Sequence, residues 1–237
     1  MHKWILFIDV EGFSNIYQKN KAQAVSLLSG LMGDLYFIGT KVYPDEKVRL
    51  FVYQFSDGFM VSPDFNDEID RPIAIAIALM RSMLIRNGVL RGAISCGELE
   101  DILSEYPEEV LKSQKNGCVP LGCGGGLMTI NQLMGDALIN AYNLASAEPK
   151  GPLLILDKDC VKNVNNSGLK TYNIDGYTCV NWIYPEIGLV NDILKKIGRD
   201  SPPKETLREL ITRYISENPD LSREWKANAE NLIKERN

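Results

Sequence analysis

Two carboxylates carried at neighbouring strand ends can share a hard divalent cation, and this chain has two aspartates placed for that. Asp9 ends the apolar run Trp4-Ile5-Leu6-Phe7-Ile8, just before Val10-Glu11-Gly12-Phe13-Ser14. Asp57 lies in Phe55-Ser56-Asp57-Gly58-Phe59, between the runs Val48 to Tyr53 and Phe59 to Val61. Mg²⁺ favours one or two protein carboxylates completed by the phosphates of a substrate. After Asp9, Glu11-Gly12-Phe13 leads into a helix expected to be capped by Ser14, whose open N–H groups and dipole would face a polyphosphate. A strand-terminal aspartate is also a good turn former, and Asp57-Gly58 alone reads equally as a plain hairpin turn. The two segments together point to a metal–nucleotide site.

Bulk properties exclude several other chemistries. The chain has 237 residues, enough for one large domain or a domain with a tail. Its net charge of −5 argues against nucleic acid as partner, which needs clustered basic charge. The one histidine, His2, beside the first methionine, removes Ser-His-Asp, Cys-His and His-ligated zinc mechanisms. Cys96, Cys118, Cys123, Cys160 and Cys179 form no CxxC pair and are odd in number, so reduced structural thiols in a cytoplasmic protein are expected. The first apolar run stops at Asp9 and no later stretch reaches spanning length, so no membrane association is expected.

The elements that must position the aspartates follow from periodicity. Residues 4–9 read as a buried strand, followed by a helix over about 14–37 with Leu27, Leu28, Leu31 and Leu35 at helical spacing. Residues 47–53 and 58–62 form a hairpin around Asp57, a core helix containing Arg81 runs over 71–86, and 89–95 is the next strand. The order β-α-β-β-α-β is the ferredoxin-like arrangement within an α+β fold. Gly122-Cys123-Gly124-Gly125-Gly126 lacks the Gly-Lys-Ser/Thr of a P-loop and reads as a loop. A helix is expected over about 129–147 and strands over 153–156 and 178–183. The domain division is a catalytic domain over 1–185 and a helical C-terminal extension over 186–237, broken at Pro202-Pro203, which packs on the domain or on a partner.

Phe7-Ile8-Asp9-Val10-Glu11-Gly12-Phe13-Ser14 resembles the first signature of the class III nucleotidyl cyclases, Phe-x-Asp-Ile-x-Gly-Phe-Thr. Asp57 falls where that family has its second metal aspartate, on a hairpin turn. Leu90-Arg91-Gly92-Ala93-Ile94-Ser95-Cys96-Gly97 looks like its Leu-Arg-x-Gly-Ile-x-x-Gly strand. Gly135-Asp136-Ala137-Leu138 through Ala141-Tyr142-Asn143-Leu144 is similar to its dimerising helix, Gly-x-x-Val-Asn-x-Ala-x-Arg-Leu. The resemblance implies that Asp9 and Asp57, with the carbonyl of Val10, hold two Mn²⁺ or Mg²⁺ ions. It also implies that Glu11, Gly12 and Phe13 cradle phosphates and that Arg91 contacts the triphosphate. It further implies a homodimer, with the aspartates from one protomer and the base-facing helix from the other.

The departures from the family pattern bear on the substrate. Purine cyclases read the base with a lysine or glutamate four residues before the second aspartate, where this chain has Tyr53. They use an aspartate or cysteine three residues before the helix-motif glycine, where it has Gln132. An aromatic in part of a purine slot leaves room for a smaller ring, which resembles the pyrimidine cyclases of the bacterial Pycsar anti-phage systems. That resemblance implies conversion of UTP, with CTP as the alternative, to a cyclic second messenger read by a separate effector. The family's Asn and Arg positions on the helix hold Ile139 and Asn143. Asn140 lies beside the first, and with Asp136 and Asn143 it forms a polar stripe. Asn143 then serves as a neutral donor to phosphate or ribose, another cation takes over, or the stripe is a hydrated helix face.

Overall fold

The first strand is apolar on both faces because sheet neighbours and helices enclose it: in β1 (His2–Val10), Ile5, Leu6 and Ile8 are fully buried. The computed structural model describes residues 2–45, 47, 49–63, 69–102, 106–112, 121–123, 125–128, 133–147, 149–162, 168–184 and 187–234. After β1 come α1 (Phe13–Lys19), α2 (Lys21–Phe37) continued by a π-helical turn (Ile38–Val42), β2 (Leu50–Phe55), β3 (Gly58–Pro63), α3 (Asp70–Ile85) and β4 (Leu90–Glu98). The middle of the chain holds β5 (Glu100–Asp101), α4 (Glu108–Lys112), β6 (Leu121–Cys123), β7 (Gly126–Met128), β8 (Leu133–Met134) and α5 (Asp136–Ala145). It closes with β9 (Leu154–Leu156), α6 (Lys158–Val161), β10 (Thr171–Ile174), β11 (Tyr177–Val180), α7 (Gly188–Lys196), α8 (Lys204–Glu217) and α9 (Arg223–Ile233).

Seven strands form one sheet in the order β10-β11-β9-β4-β1-β3-β2. Its β4-β1-β3-β2 half is the ferredoxin-like βαββαβ unit, so the α+β expectation holds. Antiparallel register sets Asp9 opposite Gly58 on one side and Arg91 on the other, and it aligns Phe7 with Met60, itself opposite Tyr53. Side chains on such a row share a sheet face, so Tyr53, Phe7 and Asp9 project together. On that face Phe7 packs edge-on against Tyr142 of α5, with ring centroids 5.5 Å apart. Ala137, Ala141 and Ala145 form the buried stripe of α5, small enough for the helix to lie close on the sheet.

Several expected elements differ, each for a local reason. The helix expected over 14–37 is two helices, because Asn20 leaves helical geometry and its side chain accepts a hydrogen bond from the Gln23 amide, starting α2 afresh. Ser14 does not cap α1. The cap is Gly12 at φ 71°, a conformation L side chains resist, and no side chain bonds the helix start. The helix expected over 129–147 begins only at Asp136. Leu133-Met134 pairs with Glu100-Asp101 instead, and Gly135 (φ 142°) passes so near β4 that a Cβ there would lie 2.2 Å from the Glu98 carbonyl oxygen. Residues 129–132 lie outside the described residues. On either side of the glycine-rich stretch, β6 pairs antiparallel with β7, with Cys123 opposite Gly126, and Gly124 lies outside the described residues.

Helix α3 is buried almost all round, and its Arg81 is satisfied inside the core by donating to the Trp182 and Ile183 carbonyls at 2.9 and 3.1 Å. Helices α7, α8 and α9 bury Val190, Ile193, Leu194, Leu207, Ile211, Tyr214, Trp225 and Leu232 in the same apolar cluster as β1 and α3. The C-terminal segment is thus packed on the fold that carries the aspartates.

Candidate functional site

The two aspartates meet because β1 and the β2–β3 hairpin are adjacent and antiparallel. A two-residue turn, Ser56-Asp57, closes the hairpin with Ser56 at φ 55°, and it brings Asp57 beside the end of β1. Gly58 is needed there: a Cβ would lie 2.8 Å from the Phe7 ring and 3.3 Å from the Asp9 Cβ. Burial pushes Asp9 up to about 7; the Glu11 and Asp57 carboxylates push it the same way, and Arg91 opposes them. Its Oδ1 is buried with no hydrogen-bond partner. A desolvated carboxylate with an orphaned oxygen, crowded by two further carboxylates, fits a divalent cation.

Among the described residues no three Asp, Glu, Cys or His side chains converge on one point. A cation at Asp9 and Asp57 would therefore take its remaining oxygens from backbone, water or ligand, as Mg²⁺ does with phosphates. Val10 is buried at the last position of β1. The turn that follows is tied down by the Glu11 amide, which donates to the Val89 carbonyl at 2.9 Å. That commits one of the expected cradle amides, whereas Gly12 and Phe13 precede the helical ladder of α1.

Arg91 is buried beneath this cluster. Its two terminal nitrogens donate to the Pro149 carbonyl at 2.6 Å and the Ala147 carbonyl at 2.7 Å, so its charge reaches Asp9 and Glu11 through space. Its Nε is buried with no hydrogen-bond partner. Tyr53 is half-buried on the Asp9 face, and Gln132 lies outside the described residues.

Asn140 and Asn143 are exposed on α5 and stand apart from the aspartates. They line a cleft of about 480 Å³ with Asp157, Lys158, Asp159 and Tyr177, to which Asp9, Asp57 and Arg91 do not contribute. Beside them Ile139 and Tyr142 are each about half exposed. Within this chain the cleft at the asparagines is thus lined without the aspartates.

Sequence reasoning missed the surroundings of Glu11. A cavity of about 300 Å³ opens between the turn, α1 and the C-terminal helices, lined in part by Glu11, Gly12, Lys19, Lys150, Tyr214 and Trp225. Burial raises the Glu11 pKa, while Arg91, Lys150, the Trp225 indole and the Gly151 backbone pull it back. Lys19 of α1 pairs with Asp220 across this cavity. Lys150 and Trp225 come from segments with no motif, and no local signal marks them.

No family model matches the chain, and no curated protein sequence matches it. Among solved structures it is similar to two structures of a bacterial light-regulated adenylyl cyclase, at 14% and 15% identity, each with a TM-score of 0.48. These matches cover 87% and 83% of this chain and 57% of each of those chains. It is also similar to a class III adenylyl cyclase-like ATP-binding protein from Pseudomonas aeruginosa, at 10% identity and a TM-score of 0.46, over 82% of this chain and 40% of that one. The chain thus spans less than two thirds of each of these proteins. Its architecture rests on its own strand order and register. No helix among the described residues is long and apolar enough to cross a membrane.

Proposed function

We propose that this chain is a class III-type nucleotide cyclase that converts UTP to 3′,5′-cyclic UMP and pyrophosphate, with CTP as the alternative substrate. The observation that carries the reading is the buried, unpartnered Asp9 Oδ1 beside Asp57 at the β1 end of a β4-β1-β3-β2 sheet. Two Mn²⁺ or Mg²⁺ ions, when bound, would acidify the ribose 3′-hydroxyl and neutralise the phosphates. Asp9 and Asp57 would hold them, with the Val10 carbonyl as a further ligand. The 3′-oxygen forms its bond to the α-phosphorus as the bond to the β-phosphate oxygen breaks. Pyrophosphate leaves, and the hydroxyl proton passes to water. Gly12 and Phe13 amides face the phosphates, and Arg91 supplies fixed positive charge behind Asp9.

The base lies on the shared face of Tyr53, with Gln132 completing its recognition; a tyrosine can stack on or bond to a pyrimidine. Asn140 and Asn143 meet the ribose and phosphates from a second copy. The separation of the carboxylates from the asparagines within one chain supports a homodimer with composite sites, as does the half-exposed Ile139 and Tyr142 strip beside the asparagines. The product would be a messenger for a separate effector in anti-phage defence, made in the cytoplasm. The division into a catalytic domain over 1–185 and an extension over 186–237 belongs to the same reading.

A second reading is a cyclase-like dimer that binds nucleotide without turnover, favoured by the uncharged Asn143 where relatives carry arginine. Incubation with each of the four nucleoside triphosphates and Mn²⁺ separates them. Cyclic UMP with stoichiometric pyrophosphate is expected. A dominant cyclic purine product would overturn the base assignment, and pyrophosphate release from none of the four would leave the binding reading.

A further inference from the structure

β4 and α6 are pinned together just before each of them reaches a cysteine. The Asp157 amide donates to the Ile94 carbonyl at 2.8 Å, and the Ser95 hydroxyl donates to the Asp157 carboxylate at 2.8 Å. Asp157 caps α6, accepting from the Asp159 amide at 3.1 Å, and the Cys160 amide donates to the Asp157 carbonyl at 2.9 Å. Cys96, the residue after Ser95, thereby meets Cys160, although 64 positions separate them along the chain. Both thiols are free, and they lie within hydrogen-bonding contact of each other. Among the described residues no third Asp, Glu, Cys or His side chain joins them in a metal-holding group, which leaves thiol chemistry.

The two thiols are unequal. Cys160 is fully buried and Cys96 is partly exposed. The hydrogen bond from the Cys160 thiol holds Cys96 below the ordinary thiol range, against burial and the Asp157 and Asp159 carboxylates, which push it up. The same contact, burial and those carboxylates push Cys160 up. Cys96 is therefore the thiol that ionises and meets solvent, and Cys160 is the buried proton donor beside it. Those are the properties of an attacking and a resolving cysteine. Cys179 gives the contrast: it is fully buried, its thiol donates to the Tyr177 carbonyl at 3.9 Å, and burial pushes it up to about 12.

We propose that Cys96 and Cys160 are an oxidation site, at which a peroxide converts the two thiols to an intramolecular disulfide. The Cys96 thiolate attacks one peroxide oxygen, the O–O bond breaks and hydroxide leaves, which makes Cys96 a sulfenic acid. The Cys160 sulfur then attacks the Cys96 sulfur. The S–S bond forms as the S–O bond breaks, and the departing hydroxide takes up the Cys160 proton as water. With the proton that Cys96 released at the start, two thiols and one hydrogen peroxide give one disulfide and two waters. A dithiol reductant reverses the bond. The disulfide ties α6 covalently to β4, and Asp157, Lys158 and Asp159 form one wall of the cleft that Asn140 and Asn143 line, so oxidation fixes that wall. An effect on turnover rests on the nucleotide reading of this cleft; the disulfide itself does not.

The test treats the full, reduced chain with hydrogen peroxide, alkylates the remaining thiols in denaturant and maps the peptides by mass spectrometry. Joint loss of alkylation at Cys96 and Cys160, a linked peptide joining them, and recovery of both with dithiothreitol are expected, with Cys179 alkylated throughout. In Cys160→Ala, Cys96 is expected to stop at the sulfenic acid and to be trapped by dimedone. In Cys96→Ser, Cys160 is expected to stay a thiol. Wild type that keeps both thiols alkylatable after peroxide overturns the proposal, and a dimedone adduct on Cys160 in Cys96→Ser refutes the assigned roles. With the accepted nucleotide, oxidation is expected to lower turnover reversibly by about threefold or more in wild type and not in Cys96→Ser. A disulfide that leaves turnover unchanged breaks the link to the cleft. The linked peptide with pyrophosphate release from no nucleotide supports the oxidation site and counts against the cyclase reading instead.

Discussion

Asp9 on β1 and Asp34 on α2 are both largely removed from water, and their surroundings treat the charge in opposite ways. Asp34 receives Arg86 at 2.7 and 3.0 Å, Arg199 at 2.8 Å and the Ser82 hydroxyl at 2.6 Å, so both its oxygens are bonded. Burial pushes its pKa up, but those bonds outweigh it and leave Asp34 below its usual 3.8. Asp9 has one buried oxygen with no partner, two carboxylates nearby and a single opposing arginine, and it rises to about 7. The chain can satisfy a buried carboxylate fully and does so where α2, α3 and the turn after α7 are locked together. Leaving Asp9 Oδ1 unsatisfied at the end of β1 supports the proposal that a cation from solution completes it.

Substitutions can break that contrast. Asp9→Asn and Asp57→Asn are each expected to lower pyrophosphate release by about a thousandfold or more, while Asp9→Asn leaves the fold as stable or more so, because a repelled carboxylate is gone. Pyrophosphate release that persists in both variants would mean that no cation bridges these side chains.

Asp34→Ala has the opposite profile. It strands Arg86 and Arg199 in a largely buried node, so a loss of about 3–5 kcal/mol in chemical denaturation is expected, with turnover per folded molecule retained. Wild-type-like stability would show that the node is well hydrated and contributes little.

The smallest effect is the pH dependence, and its sign separates the two residues. Asp9 has a raised folded pKa, so its stabilising protonation is complete below the unfolded value of 3.8 and lost as pH rises through about 7. Metal-free protein should therefore lose stability between about pH 4 and 7, on the order of a few kcal/mol, and Asp9→Asn should flatten that slope. Mn²⁺ should raise the midpoint more at pH 8 than at pH 5. Asp34 has a lowered folded pKa, so its contribution is present above 3.8 and lost as pH falls through the folded value. Asp34→Ala should accordingly remove part of the acid sensitivity below about pH 4 and none of the neutral slope.

The first half of the fold was legible because its signals are local. A continuous apolar run ending in Asp9, a hairpin around Asp57 and an apolar core helix over 71–86 define βαββαβ from short-range pattern alone. Expectation failed where one side chain redirects the backbone. Asn20 splits a helix by capping the next, and Gly12, not Ser14, starts α1 by a left-handed conformation whose use cannot be told from its residue type. The segment around Lys150 is held by hydrogen bonds to Arg91, Trp182, Glu224 and Asn228, separated by up to 137 positions along the chain, so no window could contain it.

Residue order was enough to single out the candidate groups: two aspartates at strand ends, and a lone histidine that removes Ser-His-Asp, Cys-His and His-ligated zinc mechanisms, whereas the register that puts Tyr53, Phe7 and Asp9 on one face came from the fold. The charge state and company of those groups came from packing. Desolvation, the approach of Glu11 and Asp57, and the diversion of Arg91 to carbonyls arise only when distant segments meet, because electrostatic free energy depends on burial and distance and not on order along the chain.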